Sequence, residues 1–277
     1  MDSLPKITTF LDKLYTFYSQ NGRHDMPWRK DTQAYYILLS EVMLQQTQVE
    51  RVKTKFVEFV KELPDWNSLA EAKQSRVVSL WQGLGYNRRA LYLCRCAETV
   101  VNNYNGNLPK NSTELQQLPG IGPNTAGAIM AFAYDQPVVF IETNIRRVLL
   151  HEFFVGKESV DDSELIPILE KIIAQLPGSQ FSSRTFYWAM MDYGTYLKQQ
   201  VPNPNRRSKH YTKQSQFVGS TRQLRGLILK ELLRSPQQKS VLQTAVNEVD
   251  SERFNIVINS LLKDGFVIQQ GERIQLK

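Results

Sequence analysis

The sequence predicts an all-α body over residues 1–197, a basic linker over 198–218 and a small winged-helix-like α+β domain over 219–277. Three observations carry this. From residue 5 to about 197, apolar residues recur at intervals of three and four, as in "AYYILLSEVMLQQTQVERVKTKFVEFVKEL" and "SRTFYWAMMDYGTYLKQQ", and clear strand alternation is missing. Short breakers ("LPDW", "GLGYN", "NGNLP", "LPGIGP", "LPGSQ") punctuate these helices. The character then changes: "KQQVPNPNRRSKHYTKQSQF" has two prolines, basic residues at 198, 206, 207, 209 and 213, and no acid. Beyond it, "STRQLRGLILKELLRSP" and "DSERFNIVINSLLKDGFVIQQGERIQL" read as helices followed by two short strands around "QGE". Helices followed by a small hairpin give the order of a winged helix, which docks on DNA or on another protein.

Composition narrows the class. The 277 residues, 42% hydrophobic and 22% charged, suffice for one large core or two unequal ones. An excess of 34 Lys and Arg over 27 Asp and Glu leaves +7, which points weakly to a polyanionic partner. No run approaches the roughly 18 apolar residues of a membrane span. The N-terminal "MDSLPKITTFLDKLYTFYSQ" reads as an amphipathic helix rather than a signal peptide. The expectation is a cytoplasmic, monomeric protein without a membrane partner. Cys94 and Cys96, the only cysteines, sit two apart on a helix, so neither a disulfide framework nor a four-thiolate metal site can be built.

The segment "ELQQLPGIGPNTAGAIMAFAY" constrains function most. Leu115 to Leu118 should close one helix, Gly120 and Gly122 should permit positive φ in a tight turn, and Pro123 should open the next helix. Such a hairpin, spanning 113–133, presents backbone N–H groups and a helix start as a phosphate cradle without sequence readout. A plain helix-to-helix turn is the alternative. Glu142, in "PVVFIETNIRRVLL", raises a second question, because a bare carboxylate in an apolar run costs roughly several kcal/mol unless paired, capped or used. Glu41, in "LLSEVMLQQ", lies in another apolar helix. From the residues alone, Glu41 could be an exposed helix residue and Glu142 a cap beside Thr143 and Asn144.

"LPGIGPNTAGAI" resembles the helix-hairpin-helix signature of base-excision DNA glycosylases, and "LLSEVMLQQTQVERV", "LWQGLGYNRRA" and "AMMDYG" resemble strings of the MutY-type adenine glycosylases, in order over roughly residues 20–197. The resemblance implies an all-α two-lobed helix-hairpin-helix DNA glycosylase fold, with a six-helix barrel as one lobe, a DNA cleft and a pocket for a flipped base. Its partner would be double-stranded DNA with a mispaired or damaged base, and its location nucleoid-associated through that DNA. Glu142, in "ETN", occupies the position of the catalytic aspartate, and Glu41 resembles the general acid that protonates adenine.

The chemistry needs both. Cutting an N-glycosidic bond builds positive charge on the sugar, which an ionised carboxylate stabilises, while a purine leaves only when protonated. Apolar surroundings favour a neutral Glu41 and a helix N-terminus favours a charged Glu142, a division like that of glycoside hydrolysis.

The resemblance also implies that Gln45, Gln46 and Thr47 fill the hole left by the flipped base. Arg88, Arg89, Gly120, Gly122, Asn124, Thr125, Asn144, Arg206 and Arg207 are the other expected DNA contacts. A Na⁺ or K⁺ on the carbonyls of Gln116, Leu118 and Ile121 is implied by resemblance alone, and Trp28 in "MPWR" matches a family string but reads as core.

Four departures stand out. Glutamate replaces aspartate, and a carboxylate misplaced by about an ångström can lose roughly a hundredfold in rate. Asn124 stands where bifunctional relatives such as endonuclease III carry a lysine, and an amide cannot form a Schiff base, so no lyase activity is expected. The cysteines of the iron–sulfur cluster are absent, which predicts a cluster-free variant without cofactor, in which "NRRSKHY" is free to touch phosphates. Asn87 replaces the second tyrosine of "GLGYY", and a winged-helix-like module replaces the C-terminal domain that recognises 8-oxoguanine. The expected function is a monofunctional N-glycosylase of base excision repair, acting on adenine opposite 8-oxoguanine or guanine. A glycosylase for thymine or uracil opposite guanine, and a non-catalytic DNA-binding protein on a decayed glycosylase fold, are the alternatives.

Overall fold

A computed structural model describes residues 3–213 and 216–277, so Gln214 and Ser215 of the expected linker, and Met1 and Asp2 of the expected first domain, lie outside the described residues. Helices dominate, and the chain forms two compact units. The first comprises the described residues up to Leu38, Pro109–Gln117 and Ile121–Lys213; the second comprises Leu39–Leu108, Leu118–Gly120 and the described residues from 216 onward.

In the first unit the Thr143–Phe153 helix packs on the Ser183–Gln200 helix. Ile145, Val148, Leu149 and Leu150 are fully buried on one side and Phe186, Ala189 and Met190 on the other. Each of these side chains larger than alanine contributes about 1.5–3 kcal/mol of hydrophobic stabilisation. Gly194 permits close approach, since a Cβ there would lie 2.6 Å from the Asn144 Cβ. Two residues earlier, buried Asp192 accepts hydrogen bonds from the Arg23 backbone N–H at 2.8 Å, the Arg23 Nε at 2.7 Å and both terminal nitrogens of Arg29 at 2.8 and 2.9 Å. The "DYG" of the resemblance is thus an ion-pair anchor plus a close-packing position. Trp28 is buried, in keeping with its core reading.

In the second unit the Thr221–Leu232, Lys239–Ala245 and Ser251–Asp264 helices stand with an antiparallel sheet of β1 (Gln237–Gln238), β2 (Val267–Gln270) and β3 (Arg273–Leu276) in the order β1-β3-β2. Gly265, at φ 83°, ends the last helix in the left-handed conformation and turns the chain into β2. Ile228, Leu242, Phe254, Phe266 and Ile274 form a core that also includes Val78 and Leu91, so the C-terminal elements share apolar packing with the Gln74–Leu80 and Arg88–Tyr104 helices.

Three expectations change. The hairpin gains a third strand, β1, whose two residues are too short to show alternation. The long periodic string around "LQQTQ" is two helices, Ala34–Leu44 and Val49–Glu62, broken at a turn where Gln46 has φ 54°. The basic stretch is not a free linker before Lys213. The Ser183–Gln200 helix runs into it, Pro204–Arg207 forms a 3-10 turn with Pro204 and Asn205 buried, and Ser208 bridges to Val160. No helix among the described residues is long and apolar enough to cross a membrane.

Candidate active site

Glu142 is half-buried and is the N-cap of the Thr143–Phe153 helix. Its Oε1 accepts from the backbone N–H of Asn144 at 2.5 Å and of Ile145 at 2.9 Å, whereas among the described residues Oε2 accepts only from the Asn144 Nδ2 at 3.4 Å. A cap of this kind satisfies amide donors that every helix start leaves open. The capping reading is therefore correct, and it leaves one carboxylate oxygen nearly unused.

The expectation of an unopposed charged form is not met. Burial pushes the Glu142 carboxyl above the ordinary glutamate value, and the Ile145 and Asn144 amides and the charges of Arg147 and Arg146 pull it back without cancelling the shift.

Behind Glu142 lies a chain of contacts that the sequence did not disclose. The Arg147 guanidinium is buried and donates to the Asn144 Oδ1 at 2.6 Å, the Gly194 carbonyl at 2.8 Å and the Asn203 Oδ1 at 3.3 Å. Asn205 Nδ2 donates to the Thr143 carbonyl at 2.9 Å. Residues of the basic stretch thus brace the helix that Glu142 caps. The available signal was an arginine on the apolar face of "NIRRVLL", where a cation needs an internal reason.

Arg207 has the matching position at the other end of that helix. It donates to the Leu150 carbonyl at 2.8 Å and to the Phe154 carbonyl, which closes the helix C-terminus. It is a cap rather than the expected phosphate contact, whereas its neighbour Arg206 is exposed.

In the second unit Glu41 lies half-buried on the Ala34–Leu44 helix among buried Ile37, Leu38, Leu39, Ser40, Val42 and Met43. The helix ends in the Gln45–Thr47 turn, and Arg89 holds that turn. Its Nη1 donates to the carbonyls of Val42 at 2.6 Å, Met43 at 2.9 Å and Gln45 at 2.8 Å. Its Nη2 donates to Thr47 Oγ1 at 3.1 Å and to the carbonyls of Leu84 at 3.0 Å and Gly85 at 2.9 Å. Burial lowers its pKa to about 10, so it stays charged at neutral pH. The expected DNA contact at Arg89 is corrected: its donors are occupied and it is 8% exposed. The Thr47 hydroxyl, bonded also to Leu84 O at 3.2 Å, is likewise structural, while the side chains of Gln45 and Gln46 are exposed at the turn.

The hairpin has the expected outline with one difference. Its first helix, Ser112–Leu115, ends before the turn, Gly120 has φ 81°, and Gly122 is extended at φ −93° as the N-cap of Pro123–Phe132. Only Gly120 therefore requires glycine for its φ, and a Cβ there would also lie 2.7 Å from the Tyr92 Cβ. Gly122, the N-cap of the second helix, supplies no side-chain cap. Asn124 is exposed and Thr125 half-buried in its first turn.

The first unit holds Glu142, Gly122, Asn124, Thr125, Asn144, Arg206 and Arg207, and the second holds Glu41, Gln45, Gln46, Thr47, Arg88, Arg89 and Gly120. An iron–sulfur cluster does not fit the residues present. Two thiols are too few, and burial pushes both Cys94 and Cys96 up to about 12, which leaves them neutral.

Residues 39–175 match the family of HhH-GPD superfamily base excision DNA repair proteins. That span includes Glu41, the hairpin and Glu142, so fold and site together define a helix-hairpin-helix base-excision protein. An adenine DNA glycosylase of Mycolicibacterium smegmatis is 31% identical over 280 residues, covering 94% of this chain and 93% of that protein. One of Buchnera aphidicola (subsp. Baizongia pistaciae) is 30% identical over 188 residues, covering 68% of this chain and 52% of that protein, so the chain spans about half the length of that relative. Among solved structures, a thermostable thymine-DNA glycosylase superposes with a TM-score of 0.61 at 26% identity, over 70% of this chain and 88% of that one. The chain belongs to the adenine DNA glycosylase family.

Proposed function

We propose that the protein is a monofunctional DNA N-glycosylase that hydrolyses the bond between deoxyribose and adenine mispaired with 8-oxoguanine or guanine in duplex DNA. The observation that carries this is Glu142: a half-buried carboxylate with one oxygen fixed by two helix amides and the other nearly unused. Glu41, in its protonated form, delivers a proton to the adenine ring. The C–N bond breaks with its electron pair going to the protonated base, Glu142 in its ionised form stabilises the positive sugar, and water adds at C1′ as it passes a proton to the Glu142 carboxylate. Asn124, exposed at the start of the hairpin helix, offers no amine, so the product is an abasic site without strand cleavage.

Likeness to the thymine-DNA glycosylase supports a second reading, removal of thymine opposite guanine. Glu41 favours the first, since a pyrimidine depends less on protonation of its leaving ring. The test is single-turnover base release, followed by alkaline cleavage, from duplexes carrying A opposite 8-oxoguanine, G or C, and T or U opposite G. Release of adenine from the first two, and its loss in Glu41→Gln with duplex binding retained, is expected. Release of T or U alone overturns the adenine reading, and a borohydride-trapped adduct overturns the monofunctional one.

A further inference from the structure

The Thr143–Phe153 helix sets a cation where Glu142 could pair with it. The Arg146 backbone N–H donates to the Glu142 carbonyl at 2.9 Å, so the two residues stand one helical turn apart. A glutamate four residues before an arginine is also the favourable order for an ion pair on a helix. Arg146 turns instead to Asp162, the first residue of the Asp162–Ala174 helix, with its Nε 2.7 Å from Oδ1 and its Nη2 2.5 Å from Oδ2. A two-point contact of this kind fixes the plane of a guanidinium as well as its charge. It is largely enclosed, the Arg146 side chain being 15% exposed and that of Asp162 24%.

The diversion matters at Glu142 Oε2, which among the described residues accepts only from the Asn144 Nδ2 and takes part in no ion pair. The second nearby cation, Arg147, gives its guanidinium to the neutral acceptors Asn144 Oδ1, Gly194 O and Asn203 Oδ1. Other charges on this helix and on the elements packed against it have partners of their own. Asp192 holds Arg23 and Arg29, Arg184 bonds the Phe132 and Ala133 carbonyls, and Glu152 pairs with Lys13. Arg207 closes the far end of the helix, Glu164 pairs with Lys157, and Asp161 lies beside His210. Arg206 is exposed. Arg146 is thus the cation whose spacing suits Glu142, and Asp162 is the group that occupies it.

A carboxylate already paired with a cation is a poor partner for a sugar that is gaining positive charge, because the cation neutralises the carboxylate and repels the developing charge. We propose that Asp162 is a positioning residue for base release: by engaging Arg146 at two points it keeps that cation off Glu142 and leaves Oε2 to the reacting sugar. The inference rests on the glycosylase reading for the reaction, whereas the placement of Arg146 is tested without it.

Two readouts are taken on the full chain. One is titration of the Glu142 carboxyl by carbon-13 NMR of glutamate-labelled protein, its resonance identified by its loss in Glu142→Gln; the other is single-turnover release of adenine from an A:8-oxoguanine duplex. In Asp162→Ala, Arg146 is released to close on Glu142. The Glu142 titration is expected to move down by about one pH unit or more, as for a carboxylate gaining a cation at pairing distance, and base release to slow at least about tenfold. Removing the cation as well should relieve the defect, so that Asp162→Ala with Arg146→Gln matches Arg146→Gln alone. Glu164→Gln, which breaks the Lys157 pair on the same helix, is expected to leave both readouts at wild-type values. A merely structural role for Asp162 would slow release without moving the titration and without relief by Arg146→Gln. An unmoved titration in folded Asp162→Ala, or slowed release that the second substitution does not relieve, overturns the proposal. Should Asp162→Ala fail to fold, Asp162→Asn serves, since an amide lacks the charge that holds the guanidinium; the same directions are expected, and an unmoved titration overturns the proposal. Wild-type chain that releases no base, with a titration that moves as expected in Asp162→Ala, leaves the hold on Arg146 standing and removes the enzymatic reading.

Discussion

Glu142 and Arg89 are both charges enclosed by protein and held by backbone groups, and they differ in what is left over. Arg89 gives two terminal nitrogens to six acceptors and has no unused donor there. Glu142 receives two amides on one oxygen, keeps the other nearly unused, and carries a carboxyl shifted upward by burial. A saturated buried charge is a structural device, because every change in its bonding loses something. A partly satisfied one retains chemistry, since stabilisation is still available to a reacting partner.

Replacing each side of the comparison should break different things. The largest effect is expected at Arg89: Arg89→Met removes six hydrogen bonds and takes the Arg89 donor from the Val42 and Met43 carbonyls, while the Gln45, Leu84 and Gly85 carbonyls keep Thr47 or Trp81, at a cost of roughly 3–5 kcal/mol, read as a fall of about 10 °C in Tm by calorimetry. Arg89→Lys should recover little, because a point ammonium cannot span the two turns. Next comes Arg147, which acts through Asn144 on Glu142. In Arg147→Lys base release is expected to slow by about a hundredfold in single turnover, with duplex affinity little changed. An equal loss of affinity would show that the brace orders the DNA site rather than the carboxylate. The smallest effect is expected at the helix C-terminus: Arg207→Ala should cost about 1 kcal/mol in urea unfolding with its salt slope for duplex binding unchanged, whereas Arg206→Ala should lower the slope by roughly one without loss of stability.

Periodicity and turn chemistry exposed most of the helical plan, because apolar spacing and Gly/Pro breakers act locally. The hairpin was legible for the same reason, since Gly120 and Pro123 each impose a backbone conformation that few other residues adopt. Glu142 stood out as a charge in an apolar run. What stayed hidden depends on contacts distant in sequence. Arg207 reaches Leu150, and Arg147 reaches Gly194 and Asn203, across separations that no window of residues encodes. Composition predicts a basic linker over 198–218, yet arginine and asparagine side chains within it partly serve the Glu142 helix. Arg88 and Arg89 look alike in "YNRRA", but on a helix adjacent residues face different ways, and one is exposed while the other is buried.

Base release at this site requires Glu142 to act as an ionised carboxylate whose own burial opposes its charge. A carboxyl with a raised folded-state pKa contributes stability while protonated and loses it as pH rises through that pKa, so at pH 7 the ionised form lowers stability. Glutamine in its place keeps an oxygen for the Asn144 and Ile145 amides and removes the charge. The decisive measurement is therefore the pH dependence of single-turnover adenine release from an A:8-oxoguanine duplex, together with Tm at pH 7, for the wild type and Glu142→Gln. Release by the wild type should fall as pH drops through a value above the ordinary glutamate range, and Glu142→Gln should release no base while melting a few degrees higher. Sustained release by Glu142→Gln, or an acid limb at or below the ordinary carboxylate range, would contradict the account.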